Sequence, residues 1–367
     1  MIRGTGWCRK TGGEMQKAAP DRVLEVVLIG AGMVAATHAA ALRDAPGLRL
    51  RGIWSRNPDR AAALATEHGA QVYRDLAEIA ADDLVDFVIV LTPPDGRLGL
   101  IDPLLAAGLP LLMEKPVARS GAEARQVVDQ CAASGVMLGI VFQHRMRAAS
   151  RAAAELVTGG DLGALGLVEI AVPWWRDQSY YDEPGRGTYA RDGGGVLISQ
   201  AIHTLDLALS LAGPVTSVQA MTATTRFHRM EAEDFATAGL RFANGAVGSL
   251  VASSASFPGG AERITLHFER ATLHLEAGVL TLRHRDGRIE THGEPATTGG
   301  GADPMAFTHA WHQAVIEDFA DATRLGREPM VTGRAALAVH DLIDAITQSA
   351  RTGQTTADMA NGPVQRI

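Results

Sequence analysis

From residue 23 to 142, short apolar runs alternate with alanine-rich or amphipathic stretches. That is the pattern of strands exchanged with helices. The runs 23–29, 48–54, 87–91, 109–113 and 136–142 have the length and composition of strands buried on both faces. The stretches 35–42, 60–68, 98–107 and 121–134 read as the helices between them. Such alternation implies right-handed crossovers and a doubly wound parallel sheet.

Past about residue 150 the texture changes. A short helix at 151–157 leads to an alternating strand at 164–174, then a polar, aromatic loop at 175–192. After Gly193-Gly-Gly195, residues 196–211 read as a helix of mixed small and apolar residues, suited to burial. Strands follow at 215–227, 234–243, 246–256, 261–268, 271–276 and 279–283, with Asn244-Gly245 as a hairpin turn. Strands without intervening helices make a large, mostly antiparallel sheet, so this half is of α+β type. Residues 284–303 are polar and glycine-rich and read as a mobile loop, and 307–325 and 333–349 as closing helices. No repeat of fixed period is present. The expected division is a disordered extension at 1–20, an α/β domain at 21–145 and an α+β domain at 146–367.

Composition narrows the function. A chain of 367 residues is long enough for two domains. A net charge of -7 argues against a nucleic-acid partner, which would call for a basic face. No apolar run reaches the roughly 18 residues that would suggest a membrane span. Cys8 and Cys131 lie far apart, which points away from a disulfide framework and toward a reducing, cytoplasmic setting. Residues 1–20 are basic but lack the apolar core of a secretory signal, and Met15 offers an alternative start. The expected partner is a small molecule.

The first apolar run leads directly into Gly30-Ala-Gly-Met-Val-Ala35, which opens a helix. Strand, glycine turn and helix are the setting of a dinucleotide-binding, Rossmann-type fingerprint. Gly30 permits the tight turn, Gly32 lets backbone approach a pyrophosphate, and Ala35 allows close helix–sheet packing. Gly30, Gly32, Met33 and Val34 are thus cofactor-contact candidates, with the helix N-terminus facing the negative charge. The second strand ends in Ile53-Trp-Ser-Arg-Asn57, with no carboxylate before Asp59. Ser55 and Arg56 suit a ribose 2′-phosphate, which favours NADP over NAD. The third strand ends in Thr92-Pro93-Pro94 and the fourth in Glu114-Lys115-Pro116, both at the carboxyl edge where open α/β sheets bind ligands. A lysine there, in a cleft with a cationic neighbour, suits proton transfer.

These motifs, with His38, resemble the Gfo/Idh/MocA oxidoreductases, the glucose–fructose oxidoreductase and inositol dehydrogenase family. The stretch Gly193-Gly-Gly-Val-Leu-Ile-Ser-Gln-Ala-Ile-His203-Thr-Leu-Asp206 is similar to that family's G-G-G-x-L-x-D-x-G-x-H-x-x-D signature. The resemblance runs from about residue 23 into the C-terminal helices. It implies a nicotinamide-dependent dehydrogenase or reductase acting on a secondary alcohol of a sugar, cyclitol or sugar derivative. Lys115 and His203 match the family's catalytic lysine and histidine. Some relatives instead cleave glycosides with a tightly held cofactor and no net redox, and a few are cofactor-sensing regulators. The resemblance also implies a homodimer or homotetramer built through the C-terminal sheet. It puts Gln143, in Gln143-His-Arg145, near the nicotinamide, with Thr92, Pro93, Glu114 and Lys115.

The chain departs from the signature at Ser199, where the family has aspartate, and at Ala201, where it has glycine. A serine there carries no charge, which shifts more of the chemistry onto Lys115 and His203. Asp206, three residues beyond His203, is expected to orient it. Arg97, after the Thr-Pro-Pro turn, reads as a cofactor or substrate contact or as a solvated side chain. The loop 173–192 resembles that of relatives acting on sugars, including nucleotide-sugar uronates. Arg186, Tyr181 and Arg176 are its expected substrate contacts, alongside Lys115, Ser199 and His203. His309 and His312 share a helix face, but without a visible third ligand they read as a polar face, with His312 edging the substrate pocket.

Overall fold

The computed structural model describes residues 22–301, 303, 305–357 and 365–367. The extension expected at 1–20, with Cys8 and Met15, lies outside them. The chain divides into two compact units. The first takes the described residues up to Ala118, with Ala122–Phe142 and His309–Gly333, and the second takes the rest.

The first unit is built on β1 (Leu24–Ile29), β2 (Leu48–Trp54), β3 (Gln71–Val72), β4 (Phe87–Val90), β5 (Leu111–Glu114) and β6 (Leu138–Val141). They form one parallel sheet in the order β3-β2-β1-β4-β5-β6. Every residue of β1, β4, β5 and β6 is buried, Glu25 and Glu114 included, as predominantly apolar runs dictate in a sheet covered on both faces. The order reverses direction between β1 and β4, which opens a crevice at the carboxyl ends of those strands. Three features differ from expectation. The two-residue β3 and the helix Leu76–Ala81 lie in a stretch to which the sequence reading assigns no element; Asp75 Oδ1 caps that helix by accepting the Glu78 N–H at 2.8 Å. The helix expected at 98–107 is broken, because Leu98 (ψ 134°) and Gly99 (φ 78°) leave helical geometry within Arg97–Leu100, ahead of the helix Asp102–Ala106. The helix Ala310–Leu325, late in the sequence, belongs to this unit and lays Phe319 edge-on against Phe87 with ring centres 5.2 Å apart.

The second unit carries β7 (Leu165–Pro173), β8 (Val215–Ala223), β9 (Phe235–Phe242), β10 (Val247–Ser253), β11 (Arg263–Phe268), β12 (Ala271–Glu276), β13 (Val279–His284), β14 (Ile289–His292) and β15 (Thr356–Ala357). Their order is β14-β13-β12-β11-β7-β10-β9-β8-β15, antiparallel throughout except for β7 beside β10. One face buries alternate residues such as Val168, Ile170, Leu240, Leu250 and Leu266. The helix Ile202–Ala212, every residue of it buried, packs on that face against β7. The other face leaves Leu167, Met221, Val247 and Val251 exposed. The loop expected at 284–303 begins instead with a hairpin from β13 to β14, in which Arg288 O accepts the His284 N–H at 2.9 Å. The helix expected from 196 opens as a π-turn, Leu197–Ala201, before becoming α-helical. Among the described residues, no helix is long and apolar enough to cross a membrane.

Candidate active site

In the first unit the chain leaves β1 through Gly30, with φ 120°. A Cβ at Gly30 would press on the backbone of Leu91 and Thr92, so the turn needs glycine. Its N–H donates to Trp54 O at 2.7 Å, tying the turn to the end of β2. No side chain caps the helix Ala35–Asp44 that follows. Gly32 and Met33 lie exposed at its start, Met33 at 50%. An uncapped helix N-terminus with bare backbone around it leaves amide donors for an outside anion. These residues therefore fit a dinucleotide pyrophosphate. Next door, Ser55 Oγ accepts the Asn57 N–H at 3.2 Å and Arg56 is exposed.

Thr92, Pro93, Glu114 and Lys115 come together at the carboxyl edge of β4 and β5, beside the glycine turn. Arg97 binds this edge together from within. It is only 2% exposed and donates to the carbonyls of Thr92, Glu114, Pro116 and Val117. Burial brings its guanidinium down to about 10. Neither the ligand contact nor the solvated arginine expected at this position is correct: Arg97 is an internal staple.

Glu114 lies between two imidazoles. His38 Nε2 is 2.8 Å from Glu114 Oε1 and His312 Nε2 is 3.8 Å from the same oxygen, while Oε2 accepts the Lys115 N–H at 3.1 Å. The two rings meet edge to face, 5.1 Å between centres, and are buried. Burial, the largest single influence, would raise the carboxyl, but the His38 hydrogen bond together with the charges of His38, His312 and Lys115 outweighs it and brings Glu114 to about 2. Burial pushes His312 down to about 3, so it is neutral at pH 7. His312 therefore does not form a polar surface face with His309, which instead bonds Asp44 at 2.8 Å. The donor atoms of His38, Glu114 and His312 lie within 4.8 Å of one another, a grouping that leaves out His309 and that helix spacing did not reveal.

In the second unit, the triple glycine is explained by crowding. A Cβ on Gly193 would overlap the backbone of Arg119, and one on Gly195 the carbonyl of Glu233. The buried Glu233 carboxylate accepts the N–H groups of Gly195 and Leu197, capping the helix start. Burial raises its carboxyl. His203, on the next turn, is buried. Asp206 does not orient it as expected. Its carboxylate is gripped by Arg145, with Nε to Oδ2 at 2.7 Å and Nη2 to Oδ1 at 2.6 Å. His144 lies flat on His203 instead, ring centres 4.9 Å apart and planes at 26°. Ser199 is half-buried within the π-turn, and Gln143 is buried at the head of the turn that carries His144.

The loop after β7 folds its polar groups onto itself. Arg176 is buried and donates to the carbonyls of Trp175, Gly299 and Gly301, with its guanidinium over the Trp174 and Tyr180 rings. Tyr181 OH shares a hydrogen bond with Ser254 Oγ at 2.6 Å, and burial raises its hydroxyl. Arg186 bonds Glu183 at 2.7 Å and lies over Tyr180, 4.6 Å from the ring centre.

Residues 24–142 match the family model described as an oxidoreductase family with an NAD-binding Rossmann fold, and residues 150–274 match the GFO/IDH/MocA C-terminal domain. The chain is 26% identical to a D-apiose dehydrogenase of Rhizobium rhizogenes, over 90% of this chain and 96% of that protein. It is 26% identical to an inositol 2-dehydrogenase of Rhizobium meliloti, over 88% and 95% respectively. Among solved structures, the WlbA dehydrogenase of Bordetella pertussis in complex with NADH and UDP-GlcNAcA superposes with a TM-score of 0.78. The two chains are 29% identical, over 92% of this one and 98% of that one.

Proposed function

The chain belongs to the Gfo/Idh/MocA oxidoreductase family, and from that premise we propose that it oxidises a secondary alcohol of a sugar, cyclitol or sugar derivative, or reduces the matching ketone. Relatives named for apiose and inositol support that substrate class. One arrangement carries the reading. The uncapped start of the helix Ala35–Asp44, the Thr92-Pro93 turn and Lys115 share the carboxyl edge of β1, β4 and β5, at the point where strand order reverses.

Gly30, Gly32, Met33 and Val34 hold the pyrophosphate, and Ser55 and Arg56 favour NADP over NAD. Thr92, Pro93, Glu114, Lys115 and Gln143 line the nicotinamide side. When bound, the cofactor supplies hydride acceptance or donation at the nicotinamide ring. The chain's own work is with the proton. His203 takes the proton of the hydroxyl being oxidised, since an imidazole titrates near neutral pH. Lys115 holds the oxygen of that hydroxyl, its backbone fixed by the ionised Glu114. Ser199 adds a neutral hydrogen bond to substrate. Arg186, part-exposed and paired with Glu183, is the loop's substrate contact, while the buried Arg176 and Tyr181 shape the wall. The exposed apolar face of β7, β8 and β10 pairs two copies of the chain into a dimer or tetramer.

The test is a panel of sugars, polyols and sugar derivatives read by absorbance of reduced nicotinamide. K115A and H203A are expected to lower kcat/KM by about 10²–10⁴-fold. Turnover by neither cofactor with any member of the panel overturns the reading, as does full activity in both variants.

A further inference from the structure

The loop after β7 is held from outside as well as by its own bonds. The connection between β8 and β9 joins it at several points. His228 Nε2 meets Arg176 O at 2.8 Å, Arg229 N–H donates to Gln178 Oε1 at 2.7 Å, and Ala232 N–H donates to Gly187 O at 3.1 Å. Only the first of these joints uses a side chain that gains or loses a proton. The side chains of His228 and Asp234 are wholly buried, and His228 Nδ1 stands 2.7 Å from Asp234 Oδ2. The same carboxylate accepts the Thr225 N–H on Oδ1 at 2.7 Å and the Thr225 hydroxyl on Oδ2 at 2.6 Å. Two further rings pack on His228: Tyr181, 4.8 Å between centres, with its hydroxyl on Ser254 Oγ, and Trp175 at 5.7 Å. The Arg176 guanidinium is engaged elsewhere, by the carbonyls of Gly299 and Gly301.

Each nitrogen of His228 thus faces an acceptor, a carboxylate on one side and a carbonyl on the other. A ring that donates from both nitrogens is an imidazolium. A buried charge is tolerated where a counter-ion and hydrogen bonds satisfy it, as they do here. When this ring loses a proton, one hydrogen remains for two acceptors. The carboxylate keeps it, since a charge-assisted bond is about twice as strong as a neutral one. Nε2 then turns a lone pair toward the Arg176 carbonyl, and the loop loses that joint. We propose that His228, an imidazolium pinned between Asp234 and the Arg176 carbonyl, is the positioning residue of the substrate loop, and that loss of its proton at alkaline pH loosens the grip of the loop on substrate. This rests on residues 173–192 forming the substrate wall.

Two variants test it in the full-length enzyme. In the wild type the substrate KM is expected to rise about tenfold from neutral to alkaline pH. H228F keeps a flat ring without donors, so it should show the high KM at every pH, with kcat and cofactor KM within about threefold of wild type. In D234N the amide oxygen can keep the Thr225 N–H while the amide N–H turns to His228 Nδ1. The ring is then neutral with its hydrogen on Nε2, so D234N should keep a low KM and lose the alkaline rise. A wild-type KM in H228F, or an alkaline rise in D234N parallel to that of the wild type, overturns the positioning role. Histidine-selective ¹⁵N spectra at neutral pH read the ring without turnover and decide the matter if H228F does not fold. Two protonated nitrogens in the wild type and one in D234N are expected, and a single N–H on His228 in the wild type overturns the imidazolium. R186A separates this idea from the one beneath it. An unchanged substrate KM in both R186A and H228F ends the reading of residues 173–192 as the substrate wall, whereas a raised KM in R186A beside an unchanged one in H228F ends only the role of His228.

Discussion

Each unit opens a helix from a glycine-rich turn, and the two turns are put to opposite uses. At Gly30-Ala-Gly32 the helix start is uncapped and Gly32 stands toward solvent, while Gly30 is buried against Leu91 and Thr92. At Gly193-Gly-Gly195 the glycines are pressed onto the backbones of Arg119 and Glu233, and the protein's own carboxylate, Glu233, takes the helix amides. Both satisfy the rule that helix N-terminal N–H groups need acceptors. In the first unit the acceptor must come from outside, which makes a binding site. In the second it is built in, which makes a rigid platform for the helix that carries His203.

The sharpest way to break this contrast is to add one methyl to each turn. In G195A the new Cβ would overlap the Glu233 carbonyl. Backbone against backbone leaves no side chain to swing aside, so a loss of about 4 kcal/mol or more, or no folded protein, is expected. In G32A nothing stands within 4 Å of the new Cβ. Stability should change by less than about 1 kcal/mol, while the cofactor KM rises by about tenfold or more as the methyl meets the pyrophosphate. Urea unfolding and cofactor titration of both variants measure the two effects. Similar behaviour of the two would mean that the turns do not differ as described.

The next largest effect concerns the carboxylates. Glu233 caps a helix, while Glu114 is held between His38 and His312. His312 falls from 6.5 to about 3 on folding, and Glu114 from 4.5 to about 2. In both cases the unfolded chain binds protons that the folded chain refuses, so stability is lost as pH falls. His312 acts below pH 6.5 and Glu114 adds below 4.5. The expected slope from His312 is about 1.4 kcal/mol per pH unit. Urea midpoints between pH 7 and 4.5 should fall in the wild type and fall less steeply in H312Q. Parallel curves would remove His312 from this role.

How legible these features were depended on sequence distance. The glycine turn, Thr92-Pro93, Glu114-Lys115 and the run to Asp206 are contiguous motifs, each readable because neighbours in sequence share one strand end or one helix face. The partners were not. His38 and Glu114 are 76 residues apart, and Arg145 and Asp206 are 61 apart. Helix spacing therefore offered Asp206 to His203, and the tertiary fold gave it to Arg145. Arg97 was misread because a basic residue in a loop gives no sign that four carbonyls will surround it. The β13–β14 hairpin did leave a signal, since Asp286-Gly287 lies between the two strands as a turn pair. The glycine-rich residues around it masked that signal.

The smallest expected effect returns to the open turn. If the first unit takes its acceptor from outside, the surroundings of the turn should distinguish one dinucleotide from another, and Arg56 is the side chain placed to do so. It is exposed at the end of β2, the strand that Gly30 binds through Trp54 O, and no hydrogen bond or ion pair engages its side chain among the described residues. Ser55, beside it, keeps its hydroxyl hydrogen, because its oxygen only accepts from Asn57 N–H. A guanidinium facing a 2′-phosphate makes a charge-assisted bond worth about 1.5–3 kcal/mol, so R56A should raise the KM for NADP by about tenfold or more. The KM for NAD, which has no 2′-phosphate, should stay within about twofold, since nothing in the protein depends on Arg56. Thermal shifts with each cofactor, measured side by side on wild type and R56A, read the same difference without turnover. Equal losses for both cofactors would place Arg56 on the adenine or the pyrophosphate. No loss for either would leave the open turn selecting only for a dinucleotide, with its amides as the sole source of affinity.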